Sequence, residues 1–304
     1  MYLVVGATGS LGRRVVAALR ERGKPVRALT RDPARATDLA ILGAEVVQGD
    51  LRDPASLERA CQGVEKLLSA AHGFDGKDGN SPAAVDARGN RCLVEAARAA
   101  GVRHLVLASV VGAAADNPVD LFRCKFEAEE AVRRSGMSFA ILRATAFMEF
   151  WAAMVGAPIL RGGKVTIFGR GRNPVNFVSV DDVAAYALVA LDDPRAAGRT
   201  LEVGGPENLS MIEVAAIFER VAGHSAKRTH VPLPLMRFLA VALRPLNPGA
   251  ARQIGAGVLM DTADMRFEMR ETMGPPLSGF TRVAEIARRM AASQGRAAPS
   301  APRR

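Results

Sequence analysis

Residues 2–12 have the sequence YLVVGATGSLG, an apolar run followed by a turn that carries three glycines, Gly6, Gly9 and Gly12. The run is typical of a buried strand, and the spacing of apolar residues over Val15–Leu19 indicates a helix after the turn. Glycines in this context allow a tight turn, a close approach of backbone to a pyrophosphate, and close packing of helix on sheet. The turn therefore predicts a dinucleotide-binding unit; the alternative is a turn of the same shape without a ligand.

This turn offers backbone N–H groups at the start of a helix, where the helix dipole also favours an anion. Its spacing is Gly-x-x-Gly-x-x-Gly, not the Gly-x-Gly-x-x-Gly of many dehydrogenases. The residues that we expect to contact the cofactor here are Gly6, Thr8, Gly9, Ser10, Leu11 and Gly12.

Short apolar runs alternate with helical patterns from residue 2 to about residue 142. Glycine closes several of the helical segments, as at Gly23 and Gly101, where a left-handed helix end is cheap only for glycine. Repeated strand–helix–strand units require a parallel sheet that is covered on both faces, so the sequence predicts an α/β fold with a doubly wound parallel sheet. The predicted strands are Tyr2–Val5, Val26–Leu29, Glu45–Gln48, Lys66–Ser69, Leu105–Ala108 and Phe139–Leu142.

The regular alternation of strand and helix patterns ends after residue 143. We predict a dinucleotide-binding domain over 1–143, a smaller C-terminal substrate lobe over 144–290 that interleaves with the sheet edge, and a disordered Pro/Ala-rich tail over 291–304. The predicted pieces of the lobe are a strand within Gly162–Gly169, a helix from Asp181 to about Asp192, a strand over Leu201–Val203 and a helix that begins at Ser210 with Glu213 in a capping box. These pieces look too short for an independent core.

The end of the second strand bears on the choice of cofactor. An NAD site usually has an acid there, about 20 residues past the turn, to hold the ribose hydroxyls. Here Arg31 follows the strand, and a planar cation suits the 2′-phosphate of NADP; Arg13 offers a second clamp. The sequence thus favours NADP(H) over NAD(H), and the competing interpretation is a surface pair between Arg31 and Asp32.

Composition excludes several other functions. Three cysteines and four histidines show no ligand spacing, so we predict neither disulfides nor a metal site. The net charge of +10 comes mostly from arginines scattered among acids, which argues against nucleic-acid binding. No basic leader precedes an apolar segment and no apolar run could span a bilayer, so we predict a cytoplasmic chain. Leu233–Leu246 is predicted to be an amphipathic helix on the body of the protein, with peripheral membrane contact as the alternative.

With these features the chain resembles the NmrA-like branch of the atypical short-chain dehydrogenases/reductases, which have a Rossmann-like fold. The resemblance covers nearly the whole chain up to about residue 290. The matching stretches are Gly6–Gly12, Arg27–Pro33, Gly49–Asp53, Asp86–Ala97, Gly101–Ser109, Lys125, Arg143–Trp151 and Phe177–Val183.

The resemblance implies further cofactor contacts at the ends of the later strands. Asp50 and Leu51 would hold the adenine edge, although a turn or helix-capping role for Asp50 is the alternative. The ribose and nicotinamide path would be lined by Ala70, Ala71 and His72 after the fourth strand and by Thr145, Ala146 and Phe147 after the sixth.

The resemblance thins at the catalytic groups. Short-chain dehydrogenases commonly use Tyr-x-x-x-Lys on one helix face, but here Leu121 occupies the tyrosine position, four residues before Lys125. Lys125 would hold the ribose or act as the acid itself, and Ser109 and His72 are the other candidate proton donors. For Ser109 the alternative is a strand-end hydroxyl that bonds to backbone.

Two functions follow from this pattern. The first is an NADPH-dependent reductase of a small apolar carbonyl, enone or quinone-like substrate, for which Phe147, Met148, Phe150, Trp151 and Met154 suit a pocket, though a helix packed in the core would look alike. The second is a non-catalytic NADP(H)-sensing regulatory or assembly protein with a protein partner, which the missing tyrosine favours.

Overall fold

The computed structural model of the chain describes residues 1–74, 79–269 and 279–297. The strands are β1 Tyr2–Val5, β2 Val26–Thr30, β3 Glu45–Gln48, β4 Lys66–Ser69, β5 His104–Val110, β6 Ser138–Ala144, β7 Ala146–Phe147, β8 Val165–Phe168, β9 Val175–Val178, β10 Arg199–Val203, β11 Asn208–Leu209 and β12 Arg228–Val231. The helices are α1 Ser10–Glu21, α2 Thr37–Ile41, α3 Pro54–Cys61, α4 Asn90–Ala99, α5 Asp120–Arg134, α6 Met148–Leu160, α7 Val180–Asp192, α8 Met211–Ala222, α9 Leu233–Ala242, α10 Pro248–Thr262 and α11 Val283–Ala297. A π-helix over Ala83–Gly89 runs directly into α4.

Among the described residues, seven parallel strands form the central sheet, in the order β10-β6-β5-β4-β1-β2-β3. From β1 the chain winds outward to β2 and β3, and then returns to the other side of β1 to place β4, β5 and β6. This is the predicted doubly wound sheet, and the six predicted strands are confirmed, with β2, β5 and β6 extending beyond their predicted ends. All four side chains of β1 are buried, as expected for a central strand covered on both faces.

Each face of the sheet carries its own apolar layer. On one face, residues of α1, α2 and α7 pack together, with Val15, Leu39 and Tyr186 among the most deeply buried. On the other face, α3, α4 and α5 contribute side chains that include Leu57 and Leu93. Both faces of the sheet are therefore closed to water, and its strand ends remain available for a ligand.

The lobe has a separate apolar cluster, built around Met148, Phe177 and Phe218. Its elements are α6, α8, α10 and α11 with two small sheets, β11-β9-β7 and β12-β8. Of the predicted pieces, β8 and α8 contribute to this cluster, and α6, β9, α10 and α11 supply most of the rest. The capping box at Ser210 and Glu213 is confirmed.

Two elements that we assigned to the lobe lie in the central sheet. Helix α7 packs on α1, and β10 pairs in parallel with β6 along the sheet edge. The reason is visible in α7, whose buried residues, from Val180 to Leu191, lie on most of its circumference and need cover on several sides. The chain thus crosses to the lobe at β7, returns for α7 and β10, and leaves again at β11.

The C-terminal part also differs from prediction. Helix α11 continues to Ala297, so 291–297 is helical and not a disordered tail; Val283, Ile286 and Ala287 anchor it in the lobe core. Residues 298–304 lie outside the described part of the chain. Helix α9 ends at Ala242, short of the predicted Leu246. Within the described ranges, no helix has the length and apolar character required to cross a bilayer.

Candidate functional site

The predicted cofactor residues after β1 and β4 meet at the carboxyl edge of the sheet, where the strand order reverses. A Cβ on Gly6 would lie 2.7 Å from the backbone N of Ala71, and the φ of Gly6 is +78°. The first turn therefore requires glycine at residue 6 both for its backbone angle and for its contact with the end of β4. In open α/β sheets such a reversal point is where ligands bind.

Helix α1 begins at this turn with its first N–H groups uncovered by any side chain. The N-cap residue is Gly9, which makes no side-chain capping bond, whereas Asp53 caps α3 and Ser210 caps α8. A Cβ on Gly12 would lie 2.3 Å from the carbonyl oxygen of Gly6, so the helix packs directly on the turn. The uncapped N–H groups have the geometry that an anion cradle requires, and the binding of a pyrophosphate there stays a prediction.

Arg31 lies exposed just after β2, beside the cradle. The competing pair with Asp32 does not form, because Asp32 caps the turn at Pro33–Ala36 by accepting from the N–H of Ala34. In the described part of the chain no carboxylate lies within ion-pair distance of Arg31. Arg13 is committed elsewhere: it donates to the carbonyl oxygen of Thr8 and pairs with Asp38. Arg31 is therefore exposed and without an ion-pair partner among the described residues, so its contact with a 2′-phosphate stays a prediction, and Arg13 braces the turn.

Asp50 lies after β3 and is held locally. Its Oδ1 accepts from the backbone N of Arg52 at 2.8 Å, and its carboxylate also pairs with the guanidinium of Arg52. The bond from Arg52 holds the pKa of Asp50 below its usual range, with a smaller contribution from the charge of Arg31. This geometry is that of the alternative interpretation, a turn role for Asp50, and Leu51 beside it is buried.

Lys125 is buried in α5 and its ammonium faces the site. Nζ lies 2.9 Å from Oδ1 of Asp86 and donates to the carbonyl oxygens of Ala108 at 2.9 Å and Ala71 at 3.3 Å. Asp86 has no exposed surface, and its Oδ2 accepts from the N–H of Gly73 at 2.8 Å. One carboxylate thus connects the ammonium to the loop after β4.

Ser109 lies at the end of β5, as predicted, but its hydroxyl points to another group. Its Oγ donates to Glu129 at 2.6 Å, and Glu129 also receives two bonds from Arg143, at 2.9 and 2.7 Å. Glu129 is fully buried, and its bond to Arg143 raises the pKa of that guanidinium. The Ser109 proton is therefore bonded to the carboxylate of an ion cluster. This arrangement is closer to the structural alternative for Ser109 than to the role of a proton donor, although its partner is a side chain and not the backbone.

His72 lies exposed on the loop after β4, next to Ala71. Its Nδ1 accepts from the N–H of Phe74 at 3.4 Å. Residues 75–78, which continue this loop in sequence, lie outside the described part of the chain. Cys124, adjacent to Lys125, is no nucleophile in this setting, because burial raises the pKa of its thiol to about 11.

Thr145, Ala146 and Phe147 follow β6 at the same edge. The hydroxyl of Thr145 donates to Oδ1 of Asn176 at 2.9 Å, and its N–H donates to the carbonyl oxygen of Val203. Ala146 and Phe147 form β7 against β9. The junction between sheet and lobe is therefore fixed by backbone pairing and by the buried amide of Asn176.

An apolar pocket opens in the lobe between α6, β8 and α10. It is open to solvent, and Phe150, Trp151, Met154, Phe168 and Ile254 are among its lining residues. Met148, which we also expected there, is buried in the lobe core, and Phe147 packs toward the sheet.

Two polar residues that line this pocket, Asn173 and Asp261, bond to other groups of the protein. Asn173 donates to two carbonyl oxygens of α10 and the residue after it, and Asp261 accepts from the N–H groups of Arg170 and Gly171. An edge-to-face contact between Phe74 and Phe150, with centroids 6.4 Å apart, connects the pocket to the loop after β4.

Sequence reasoning missed the part played by Asp86. The sequence does contain a sign of it, because Asp86 lies between Val85 and Ala87 at the start of a buried helical pattern. A buried carboxylate is stable only when it is paired with a cation or hydrogen-bonded. Its partner is distant in sequence, and the π-helix over Ala83–Gly89 that turns the side chain toward Lys125 has no recognisable sequence pattern.

The described residues also contain no cluster of three metal-binding side chains.

Comparison with known proteins agrees with this geometry. The sequence profile of the NmrA-like family matches residues 2–264. The chain belongs to the NmrA-like family. It is 33% identical over 98% of its length to the NAD(P)H azoreductase of Xenophilus azovorans, which is covered in full. It is 29% identical over 78% of its length to the photosystem II assembly factor Ycf39 of Synechocystis, of which 72% is covered.

A solved structure extends the likeness to the fold. The NADPH-dependent quinone oxidoreductase QOR2 of Escherichia coli, complexed with NADPH, superposes with a TM-score of 0.77 at 25% identity. The match covers 95% of this chain and 99% of that one. The predicted family and Rossmann-like fold are confirmed, and the predicted cofactor, NADP(H), is the one that this related structure contains.

Proposed function

We propose that this NmrA-like protein is an NADPH-dependent reductase of a small, apolar carbonyl, enone or quinone-like substrate. The observation that carries the proposal is the position of a buried ammonium, Lys125, at the strand ends beside the uncapped glycine turn. The related azoreductase and quinone oxidoreductase support the reaction class.

The residues at the sheet edge fit the cofactor. The N–H groups at the start of α1 would hold the pyrophosphate, since Gly9 leaves them uncapped. Arg31 would contact the 2′-phosphate, and Ala70 and Ala71 would border the ribose. When bound, NADPH supplies a hydride, and with it the two electrons of the reduction.

Lys125 would supply the proton. Its bond to Ala71 is the longest of its three contacts, at 3.3 Å, so this N–H is the one most readily redirected to a ribose hydroxyl or a substrate oxygen. Asp86 balances the ammonium charge inside the protein. Donation from Nζ to the oxygen leaves a neutral amine, which regains its proton from solvent.

The pocket beside Phe150 and Trp151 supports an apolar substrate. Its polar neighbours Asn173 and Asp261 already bond to the backbone, so no charged group of theirs remains to pair with an ionic ligand. Aromatic side chains on one wall suit a flat, uncharged ring.

The test follows NADPH oxidation by its absorbance against a panel of quinones, enones and azo compounds. In Lys125→Met we expect turnover to fall by about 100-fold or more, with NADPH affinity within a few-fold of wild type. Lys164→Met, at an exposed lysine in the turn before β8, is the matched control and should keep full turnover. Wild-type rates in Lys125→Met would refute the assignment.

A second candidate function is a non-catalytic NADP(H)-sensing or assembly protein. Leu121 in place of the tyrosine favours it, as does the similarity to the photosystem II assembly factor Ycf39. Tight NADPH binding without oxidation across the whole panel would favour this function over the reductase.

A further inference from the structure

Helix α9 is apolar on the side that faces solvent as well as on the side that faces the protein. Met236 is buried, whereas Leu235, Phe238 and Val241 are 46%, 66% and 62% exposed. At about 100° per residue Phe238 and Val241 lie roughly opposite Met236 on the helix, and Leu235 lies about 100° away from it, at the edge of the exposed side. Leu246, just after the helix, is 82% exposed. A helix that is apolar on all sides is normally covered, and among the described residues nothing covers this face.

Helix α9, which carries the exposed apolar face, is fixed in place by its packing on α10. Helix α9 packs along α10, and Met236 reaches so close to Gly257 that a Cβ there would lie 3.1 Å from its Cε. Ala250 and Ile254 of the same helix line the lobe pocket. The exposed side chains therefore project from a fixed surface, next to the wall of the pocket.

The chain segment that carries this face contains cations but no carboxylates of its own. The sequence contains no Asp or Glu between Glu219 and Asp261. Within the described ranges Arg237 and Arg244 are exposed and neither has an ion-pair partner. Two other cations of this segment are neutralised, because Arg228 pairs with Glu219 and Arg252 pairs with Asp120.

Apolar side chains flanked by unpaired arginines match an anionic bilayer surface. A second copy of the chain is a poorer match, because a two-fold contact through this face would bring its arginines close to those of the other copy. We propose that the α9 face, defined as Leu235, Phe238, Val241 and Leu246 with Arg237 and Arg244, docks the protein on membranes that contain anionic lipid. This docking does not depend on the reductase activity.

Vesicle sedimentation with the full chain tests the proposal. We expect binding to vesicles of phosphatidylcholine mixed with phosphatidylglycerol, and much weaker binding to phosphatidylcholine alone. The double variant Phe238→Ser, Val241→Ser should weaken binding by about tenfold or more. Ile41→Ser is the matched control, since Ile41 is 82% exposed on α2, and it should bind like wild type. Absence of wild-type binding to the anionic vesicles, or an equal loss in Ile41→Ser, would overturn the proposal.

The charge is tested separately. Arg237→Gln and Arg244→Gln should each weaken binding by about fivefold, and added salt should weaken it further. Arg59→Gln, an exposed arginine on α3, should have no effect. Sedimentation velocity without lipid provides the decisive counter-test: a wild-type dimer that dissociates in the Phe238→Ser, Val241→Ser variant would make this face an interface between copies and overturn the membrane assignment.

Discussion

At the scale of single residues, Asp86 bears the strongest constraint in the site. A carboxylate with no exposed surface has lost its hydration, and that cost must be offset inside the protein. The offset comes from the Lys125 ammonium on one oxygen and the N–H of Gly73 on the other. Asp86 is therefore a positioning residue, because it fixes where the ammonium lies relative to the loop after β4.

Replacement of Asp86 by Asn keeps an acceptor for Gly73 but removes the charge that faces Lys125. We expect kcat for quinone reduction to fall by about 10- to 100-fold, because the ammonium loses its fixed position, while NADPH affinity changes by less than about threefold. Steady-state kinetics and fluorescence titration of NADPH measure the two effects.

The control for this variant is Asp192→Asn, which removes a second carboxylate from a lysine ion pair, at the opposite edge of the sheet. It should cost stability without changing kcat. An equal loss of kcat in both variants would show that Asp86 acts only through folding.

At the scale of elements, α7 is held at both ends. At its start, Glu149 accepts from the hydroxyl of Ser179 and from the N–H of Val180. At its end, Asp192 accepts from the hydroxyl of Tyr2 at 2.6 Å and from Lys66 at 2.7 Å. The contacts at its end, with β1 and β4, hold this helix against the central sheet, whereas Glu149 ties its start to α6 of the lobe.

The cluster at the end of α7 predicts how stability depends on pH. Burial raises the pKa of Asp192, but the bonds from Lys66 and Tyr2 outweigh it and leave that pKa below its usual value. Burial lowers the pKa of Lys66, but Asp192 outweighs it, so the net shift is upward. Burial and the bond to Asp192 both raise the pKa of Tyr2.

The lowered pKa of Asp192 stabilises the fold above about pH 4, and this contribution is lost as pH falls through the folded-state value. The raised values of Lys66 and Tyr2 stabilise the fold below about pH 10, and that contribution is lost at higher pH. We expect Asp192→Asn to lower the free energy of unfolding by about 1–2 kcal/mol between these limits.

Urea denaturation across the pH range measures the difference between wild type and Asp192→Asn. The difference should shrink toward both extremes, and a difference that is constant with pH would contradict the assigned ion cluster.

At the scale of the whole molecule, the sequence was sufficient for six of the seven strands of the central sheet and for the edge at which the candidate site lies. Continuous apolar runs predict buried parallel strands, and the glycine turn marks β1. What escaped prediction depends on contacts between distant segments: the return of β10 to the sheet, the pairing of Asp86 with Lys125, and the docking of α11 in the lobe core. The periodicity of apolar residues along a segment depends on that segment alone, so it does not show which distant segment the side chains contact. Arg31 was predictable because its position relative to a strand end is local.

The cofactor should stabilise the whole molecule, because the residues predicted to bind it come from the ends of several strands. A ligand at 100 times its Kd adds about 2.7 kcal/mol to the free energy of unfolding, which corresponds to a rise in Tm of several degrees. We expect NADP⁺ to raise Tm more than NAD⁺ at the same concentration, since the 2′-phosphate gains the bond to Arg31. In Arg31→Ala the affinity for NADP⁺ should fall by about 10- to 100-fold and that for NAD⁺ should hardly change, so the rises in Tm with the two dinucleotides become equal.

The control is Arg22→Ala, at the far end of α1, which should keep the wild-type difference between NADP⁺ and NAD⁺. An unchanged preference for NADP⁺ in Arg31→Ala would mean that another cation contacts the 2′-phosphate, and exposed Arg35, whose carbonyl receives a bond from Arg13, would be the next residue to replace.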